Sequence, residues 1–159
     1  MTGKPVIDKF LHAIETADIP GCDVWSEDAT LDATVPNWRL HAAGADAIRA
    51  EYAKWFAHPG RFDELRRYTV EGGEVHESMR GGLPGGSGGM ESPQGLAQSS
   101  PRASTVVEYT LSWTENGVPH AGHHLHVLTV RDDRIVADMV FCGGRWPAAL
   151  LAEMEAARA

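Results

Sequence analysis

The sequence predicts an α+β fold in which helices pack on an antiparallel sheet. Two observations support this class. Apolar residues recur at helical spacing in two N-terminal segments, and the C-terminal third alternates apolar and polar residues around short turns. The 159 residues suffice for one hydrophobic core but not for two, so residues 1–159 are predicted to form a single domain.

The N-terminal segment is predicted to form an amphipathic helix over residues 4–16. Its apolar residues, Val6, Ile7, Phe10, Leu11 and Ile14, fall on one helical face. The sequence Asp-Ile-Pro-Gly at 18–21 ends this helix, and a short helical turn through Trp25 is expected to follow. Residues 29–36 alternate and are rich in Thr and Val, which predicts the first strand.

A second helix is predicted from Gly44 onward, followed by a strand. Its apolar residues are Ile48, Tyr52, Trp55 and Phe56, spaced as one helical stripe. His-Pro-Gly at 58–60 ends the helix. Residues 61–70 then predict a strand.

Residues 72–104 are rich in Gly, Ser and Pro and show almost no apolar periodicity. Such a composition buries too little surface to offset its ordering entropy, so a mobile insertion between two strands is expected. The glycines match neither phosphate-binding nor dinucleotide-binding motifs, which disfavours a nucleotide loop. An inert insertion is favoured over a lid that covers the pocket.

The C-terminal third predicts three strands, over residues 105–114, 121–130 and 135–142. Asn116-Gly117 is a strong hairpin signal, and a two-residue turn there places Tyr109 opposite His124 and Val107 opposite His126. Gly143-Gly144 ends the last strand, and Pro147 suits the first position of a short terminal helix.

This register places an apolar and aromatic set of side chains with two imidazoles on one face. The set is Val107, Tyr109, Leu111, Trp113, His124, His126, Leu128 and Val130. A mainly hydrophobic surface with a few placed polar groups is typical of a pocket wall. The opposite face is mixed and suits solvent or a dimer contact.

Two acidic residues on other strands are candidates for the same pocket. Asp32 and Thr34 share one face of the first strand. The turn at Asp132-Asp133 can hold two or three residues, so Asp138 points either inward or outward. The inward orientation is preferred, because no other strong polar group serves the last strand.

Composition and charge limit the classes of partner that the protein is expected to bind. The formal net charge of −8 disfavours nucleic-acid binding. The sequence shows neither a secretory signal nor an apolar run long enough to span a membrane. Two cysteines without a C-x-x-C pair argue for a reducing, cytoplasmic location and against a structural zinc site. The histidines of segment 120–126 suit hydrogen bonding better than metal binding, because a third inward histidine is missing.

Three segments resemble the nuclear transport factor 2-like superfamily, and within it the SnoaL-like group. They are Asp-Ala-Thr-Val-Pro-Asn-Trp-Arg at 32–39, Gly-Ala-Asp-Ala-Ile-Arg at 44–49 and Val-Arg-Asp-Asp-Arg-Ile-Val at 130–136. The resemblance covers residues 5–70 and 105–155. It implies a cone-shaped α+β barrel, in which the helices pack on a strongly curved antiparallel sheet and enclose a pocket. It also implies a small hydrophobic ligand and a homodimer. The superfamily includes steroid Δ-isomerases, limonene-epoxide hydrolases, polyketide cyclases, dehydratases and binding proteins, so function transfers less well than fold.

The catalytic positions of these relatives are only partly matched. Val107, Tyr109 and Val140 stand where the epoxide hydrolases carry an Asp-Arg-Asp set, which disfavours that reaction. His126 falls near the position of the steroid isomerases' oxyanion-stabilising acid. Their proton-shuttling aspartate corresponds to Asp32 or Ala33.

The leading hypothesis is a cofactor-independent enzyme of the isomerase, cyclase or dehydratase type that acts on a small hydrophobic carbonyl compound. Asp32 would act as the base, and His126, helped by Tyr109 or His124, would donate a hydrogen bond to an enolate-like oxygen. Asp138 is the third catalytic candidate. The predicted substrate-binding residues are Thr34, Trp38, Tyr109, Trp113 and His124, and no metal is expected.

The alternative is a non-catalytic ligand-binding protein or a dimeric interaction protein of the same fold. The two hypotheses predict different environments for Asp32. A catalytic Asp32 should be buried with a raised pKa, whereas a structural one would pair with Arg39 at the surface.

Overall fold

The computed structural model describes residues 5–70 and 104–159, which form helices and strands around one mixed sheet. In chain order the elements are α1 (Pro5–Thr16), β1 (Trp25–Val35), β2 (Trp38–Ala43), α2 (Ala45–Trp55), β3 (Gly60–Val70), β4 (Ser104–Glu115), β5 (Val118–Arg131), β6 (Arg134–Cys142), β7 (Trp146–Pro147) and α3 (Ala148–Ala156). The predicted α+β class is confirmed.

The sheet runs in the order β2-β1-β6-β5-β4-β3, with the short β7 paired to β5. It is not closed into a barrel. Its pairs are antiparallel except for β1 and β6, which run parallel. The sheet is therefore mixed, and the expectation of an antiparallel sheet is wrong at this one pair. A parallel pair needs a long crossover, and here most of the chain intervenes between the two strands.

Both predicted N-terminal helices are present and pack on the inner face of the sheet. Val6, Ile7, Phe10, Leu11 and Ile14 of α1 are all buried, as the helical spacing predicts. Phe10 meets Trp25 with ring centroids 5.6 Å apart and Tyr52 of α2 at 5.8 Å. This aromatic contact joins α1, α2 and β1 in one core.

The two C-terminal hairpins use left-handed turn residues. Asn116 has φ 51° and Gly117 has φ 77°, which gives the two-residue turn with the twist that antiparallel strands favour. The predicted pairing of Tyr109 with His124 and of Val107 with His126 is confirmed. The turn at Asp132-Asp133 also has two left-handed residues, and it pairs Arg131 with Arg134. A register shift between Thr129 and Val130 then pairs Leu128 with Asp138.

The N-terminal hairpin of β1 and β2 differs from what the sequence predicts. The first strand begins at Trp25, so the expected helical turn is not formed there. A turn at Pro36-Asn37, where Asn37 has φ 61°, leads into β2, which the sequence did not predict. β2 is a six-residue edge strand with no fully buried residue, and only the half-buried Leu40 and Ala42 mark its inner face.

The predicted insertion lies mainly outside the described residues, since only Ser104 of the range 72–104 belongs to the described part. The insertion and the single-domain organisation therefore remain predictions. Within the described part, each helix is too short or too polar to cross a membrane.

Candidate functional site

A cavity of about 310 Å³ lies between the end of α2, the inner face of β4 and β5, and the loop after β6. We call it the Trp113 cavity. Its apolar lining comes from Val35, Trp55, Phe56, Leu111 and Trp113. Four larger depressions lie elsewhere in the described part of the chain, beside α1, beside α3, at the start of α2 and at the Asn116 turn, and charged residues form part of each lining. The Trp113 cavity therefore best matches the pocket that the sequence predicts.

His124 is the histidine of this cavity wall. Only 6% of its surface is exposed, and its ring stacks on Tyr109 with centroids 5.2 Å apart. Its Nδ1 atom is buried and has no hydrogen-bond partner in the described part of the chain. Burial, followed by the neighbouring His126 and His123, lowers the pKa of His124 from 6.5 to about 3. The imidazole is therefore neutral near pH 7.

A buried hydrogen-bond network lies beneath this wall and consists of Tyr52, Asp138, His126 and Tyr109. The Tyr52 hydroxyl donates to Asp138 Oδ2 at 2.5 Å, and both Asp138 oxygens lie 3.1 Å from His126 Nδ1. His126 Nε2 lies 3.0 Å from the Tyr109 hydroxyl. The side chains of His126 and Asp138 are completely inaccessible to solvent.

The donors and acceptors of this network fit one hydrogen arrangement. The carboxylate of Asp138 accepts from Tyr52 and from the Nδ1–H of His126, so His126 Nε2 is left to accept from Tyr109. Burial raises the pKa of Tyr52 and of Tyr109 well above its ordinary value, and Asp138 raises both further. Both phenols therefore keep their hydrogens, and every polar group of the network has a partner.

The structure brings together only part of the predicted site. Trp113 and His124 line the Trp113 cavity, and Asp138 points inward as preferred. His126 also points inward, but it lies below the cavity wall and does not line it. The catalytic roles given to His126 and Asp138 stay predictions, since neither side chain reaches the cavity surface.

The predicted placement of Asp32 and Thr34 in the pocket is wrong. On β1 the buried side chains are Leu31 and Ala33, so the residues between them point to the outer face. Arg39 Nε donates to Asp32 Oδ1 at 2.9 Å, and Arg39 Nη2 donates to Asp32 Oδ2 at 2.6 Å. These hydrogen bonds lower the pKa of Asp32, which is the opposite of what a catalytic base requires.

Two further substrate-binding predictions are corrected. Trp38 is 70% exposed on the edge strand β2 and does not line the cavity. Tyr109 is fully buried beneath His124, and its hydroxyl is engaged by His126, so it does not face the cavity either. Its contact with the site is the ring that supports His124.

Sequence reasoning missed two residues of this region. Tyr52 was interpreted as core alone, although a tyrosine on a buried helix face needs an acceptor for its hydroxyl, and here that acceptor is Asp138. Cys142 lines the cavity directly opposite His124 in the strand register. Burial raises the pKa of the Cys142 thiol, so it stays protonated near pH 7.

Among residues 5–70 and 104–159, no group of three or more His, Cys, Asp or Glu side chains is arranged to hold a metal ion.

The sequence matches no protein-family model and no curated protein sequence. Among solved structures, a provisionally assigned isomerase from Bacillus subtilis is 15% identical, with 87% of this chain and 84% of that chain covered at a TM-score of 0.53. A steroid delta-isomerase from Pseudomonas aeruginosa is 16% identical over 97% of this chain and 88% of its own, with a TM-score of 0.46. An NTF-2-like protein of unknown function from Burkholderia xenovorans LB400 is 15% identical over 87% and 80%, with a TM-score of 0.45.

At identities this low, structural similarity supports a shared fold but does not identify the reaction. The likeness to the Bacillus subtilis protein shows that the two chains share a fold. The solved structures that match include nuclear transport factor 2-like proteins, in agreement with the resemblance seen in the sequence.

Proposed function

We propose that this protein binds a small, mainly apolar carbonyl compound in the Trp113 cavity and promotes a cofactor-free proton shift on it, as an isomerase does. The observation that carries the proposal is His124. It is a neutral imidazole in an apolar wall, and its Nδ1 has no partner among the described residues. A buried polar atom without a partner calls for one, and a ligand group that enters the cavity wall at His124 would supply it.

A neutral imidazole suits electrophilic assistance better than base catalysis. With a pKa of about 3, His124 is a weak proton acceptor at neutral pH. Its N–H can nevertheless donate a hydrogen bond to a carbonyl oxygen and stabilise the negative charge that develops there. The proton of the adjacent C–H passes to water at the exposed end of the cavity, and water returns a proton to the isomerised carbon. The apolar surroundings strengthen that hydrogen bond by excluding water.

The buried network supports His124 from below. Tyr109 is fixed through its hydroxyl to His126, and His126 is fixed to Asp138. The Tyr109 ring then lies against the imidazole of His124 at an interplanar angle of 25°. In this proposal His126, Asp138 and Tyr109 are positioning residues rather than residues that touch the substrate.

The proposal is tested with a simple aryl ketone such as propiophenone in deuterated buffer. NMR would follow exchange of the hydrogens next to the carbonyl, and calorimetry would measure binding. We expect the wild-type protein to accelerate the exchange. His124→Phe should abolish the acceleration, and His124→Gln, which keeps an N–H donor, should retain part of it.

His123→Phe is the matched control, because His123 is adjacent on β5 and points to the opposite face, where it contacts Glu108 and Thr110. This variant should leave exchange unchanged. Exchange that survives His124→Phe at the wild-type rate would refute the role of His124.

A second candidate function is ligand binding without catalysis. It is favoured by the cavity lining, which contains no carboxylate among the described residues and so offers no evident base. Under this hypothesis the ketone binds with an affinity that depends on His124, and its hydrogens exchange no faster than in buffer alone. The same two measurements therefore separate the candidates.

Homodimer formation, implied by the superfamily resemblance, is proposed on the outer sheet face. Met139 and Phe141 on β6 are about half exposed there, at 46% and 48%, next to Leu125 and Val127 of β5 in the register. Apolar side chains grouped on one exposed face favour association. Sedimentation equilibrium should report a dimer that Phe141→Asp dissociates, whereas a monomeric wild-type protein would contradict the proposal.

A further inference from the structure

The rim of the Trp113 cavity carries two cations. Lys54, at the end of α2, and Arg145, in the loop after β6, both line it, and the described lining contains no anionic residue. Their side chains are 71% and 59% exposed, so they lie at the solvent end of the cavity while His124 lies in its buried wall. One cavity thus has a neutral hydrogen-bonding end and a cationic end.

Arg145 is held in place with donors to spare. Its guanidinium carbon lies 5.5 Å from the centre of the Trp113 ring, an arrangement in which the ring face attracts the cation. Nη2 donates to Glu115, whereas Nε and Nη1 make no hydrogen bond to any described residue. Glu115 itself does not line the cavity. The guanidinium can therefore keep its ion pair and still donate to a ligand at the rim.

Lys54 is arranged in a similar way. Its ammonium group donates to Glu51 Oε2 at 2.8 Å, one helical turn earlier on α2. Glu51 also accepts from the indole N–H of Trp55 and does not line the cavity. Both counter-ions thus stand outside the cavity and the two cations stand at its rim.

We infer that the ligand is a small apolar oxo acid, which places its carbonyl oxygen at His124 and its carboxylate at Lys54 and Arg145. This inference rests on the proposed function and adds a substrate class to it. The apolar body of such a ligand would lie against Phe56, Leu111 and Trp113. The carboxylate would stay partly hydrated at the rim, where a charge-assisted hydrogen bond avoids the desolvation that full burial would impose.

The test compares two ligands of nearly equal shape, 4-oxo-4-phenylbutanoate and its neutral primary amide. Calorimetry measures both dissociation constants at low and at high ionic strength. We expect the acid to bind about tenfold more tightly than the amide at low ionic strength, with the difference shrinking in salt.

The double variant Lys54→Met, Arg145→Met should bring the two dissociation constants close to parity, because Met keeps the apolar stem and removes the charge. Arg131→Met is the matched control. Arg131 is 56% exposed and pairs with Asp28, like Arg145 with Glu115, but it lies at the end of β5 away from the cavity. This control should keep the full preference for the acid.

The outcomes separate the inference from the proposed function. If the amide binds in a way that His124→Phe weakens, but the acid binds no better, the oxo-acid inference is overturned and the carbonyl site stands. A preference for the acid that persists in the double variant also overturns the inference. If neither ligand binds, or if His124→Phe leaves binding of both unchanged, the proposed site fails and the inference fails with it.

Discussion

Two aspartates on neighbouring strands, Asp32 on β1 and Asp138 on β6, occupy opposite environments. In the register of these strands Asp138 stands beside Leu31, and Asp32 stands beside Met139. Asp138 is buried and accepts hydrogen bonds from Tyr52 and His126. Asp32 is on the outer face, with 31% of its side chain exposed, and is held by Arg39. A shift of one residue along the sheet therefore separates a buried carboxylate from a surface one.

This difference sets what each carboxylate contributes. An ion pair at the surface is screened by water and contributes little to stability. A buried carboxylate has lost its hydration, so each partner that it retains is needed to keep it there. The inner aspartate should therefore be sensitive to every change in its surroundings, and the outer one should tolerate substitution.

The largest effect is expected for Asp138→Ala. This substitution leaves Tyr52 and His126 without their buried acceptor, and breaking such a set typically lowers the free energy of unfolding by about 3–5 kcal/mol. Chemical denaturation monitored by tryptophan fluorescence would measure it. Asp32→Ala is the comparison variant, and equal losses for the two would contradict the assignment of different environments.

Tyr52→Phe should have the next largest effect. It removes one donor to Asp138 without changing the packing, and a hydrogen bond to a charged group contributes about 1.5–3 kcal/mol. The loss should be much smaller when Asp138 is already Ala, and a double-mutant cycle measures this coupling. Purely additive losses would show that the two side chains do not interact.

His124 should make stability depend on pH. Between its folded pKa of about 3 and its ordinary value of 6.5, the unfolded chain binds a proton that the folded chain does not. Lowering the pH through this window therefore lowers the free energy of unfolding, by about 2 kcal/mol between pH 7 and pH 5.

The His124 contribution is isolated by comparison with His124→Phe, since the remaining titrating groups are common to both proteins. Unfolding curves at the two pH values should show a smaller acid-induced loss in the variant. An identical loss would mean that His124 takes up its proton in the folded state.

The smallest effect is expected for Asp32→Asn. The side chain keeps its size on the outer face. The substitution weakens the hydrogen bonds from Arg39, but water can hydrogen-bond to both groups at this surface position. The unfolding curve and the ketone exchange rate should both match the wild-type protein. Loss of exchange with unchanged ligand binding would instead restore Asp32 as the catalytic base.

Much of the fold follows from local sequence. The stripe from Val6 to Ile14 predicts α1, and Asn116-Gly117 predicts the turn that sets Tyr109 opposite His124. Such signals need only neighbouring residues, so they can be interpreted without the tertiary structure. β2 escaped prediction because it is short and only Leu40 and Ala42 mark its inner face.

The candidate site was predicted less completely. The face that carries Trp113, His124 and His126 followed from a turn of known length. The orientation of Asp32 depended instead on how β1 packs against α2 and pairs with β6, and neither contact is local. The same limit applied to Trp38, which lies beyond a hairpin that the sequence did not reveal.

The sequence by itself determined the helices, the C-terminal hairpins and the inner face that they present, because propensity, apolar periodicity and turn chemistry act over a few residues. Only the tertiary structure decided which aspartate is buried. Asp138 lies inward because a register shift between Thr129 and Val130, which follows the two-residue turn, pairs Asp138 with the inward Leu128. Tyr52, 86 residues earlier in the chain, supplies a donor to it there. Asp32 lies outward because Leu31 and Ala33 take the inner positions of the same strand, and only one of two alternating sets can fill the core.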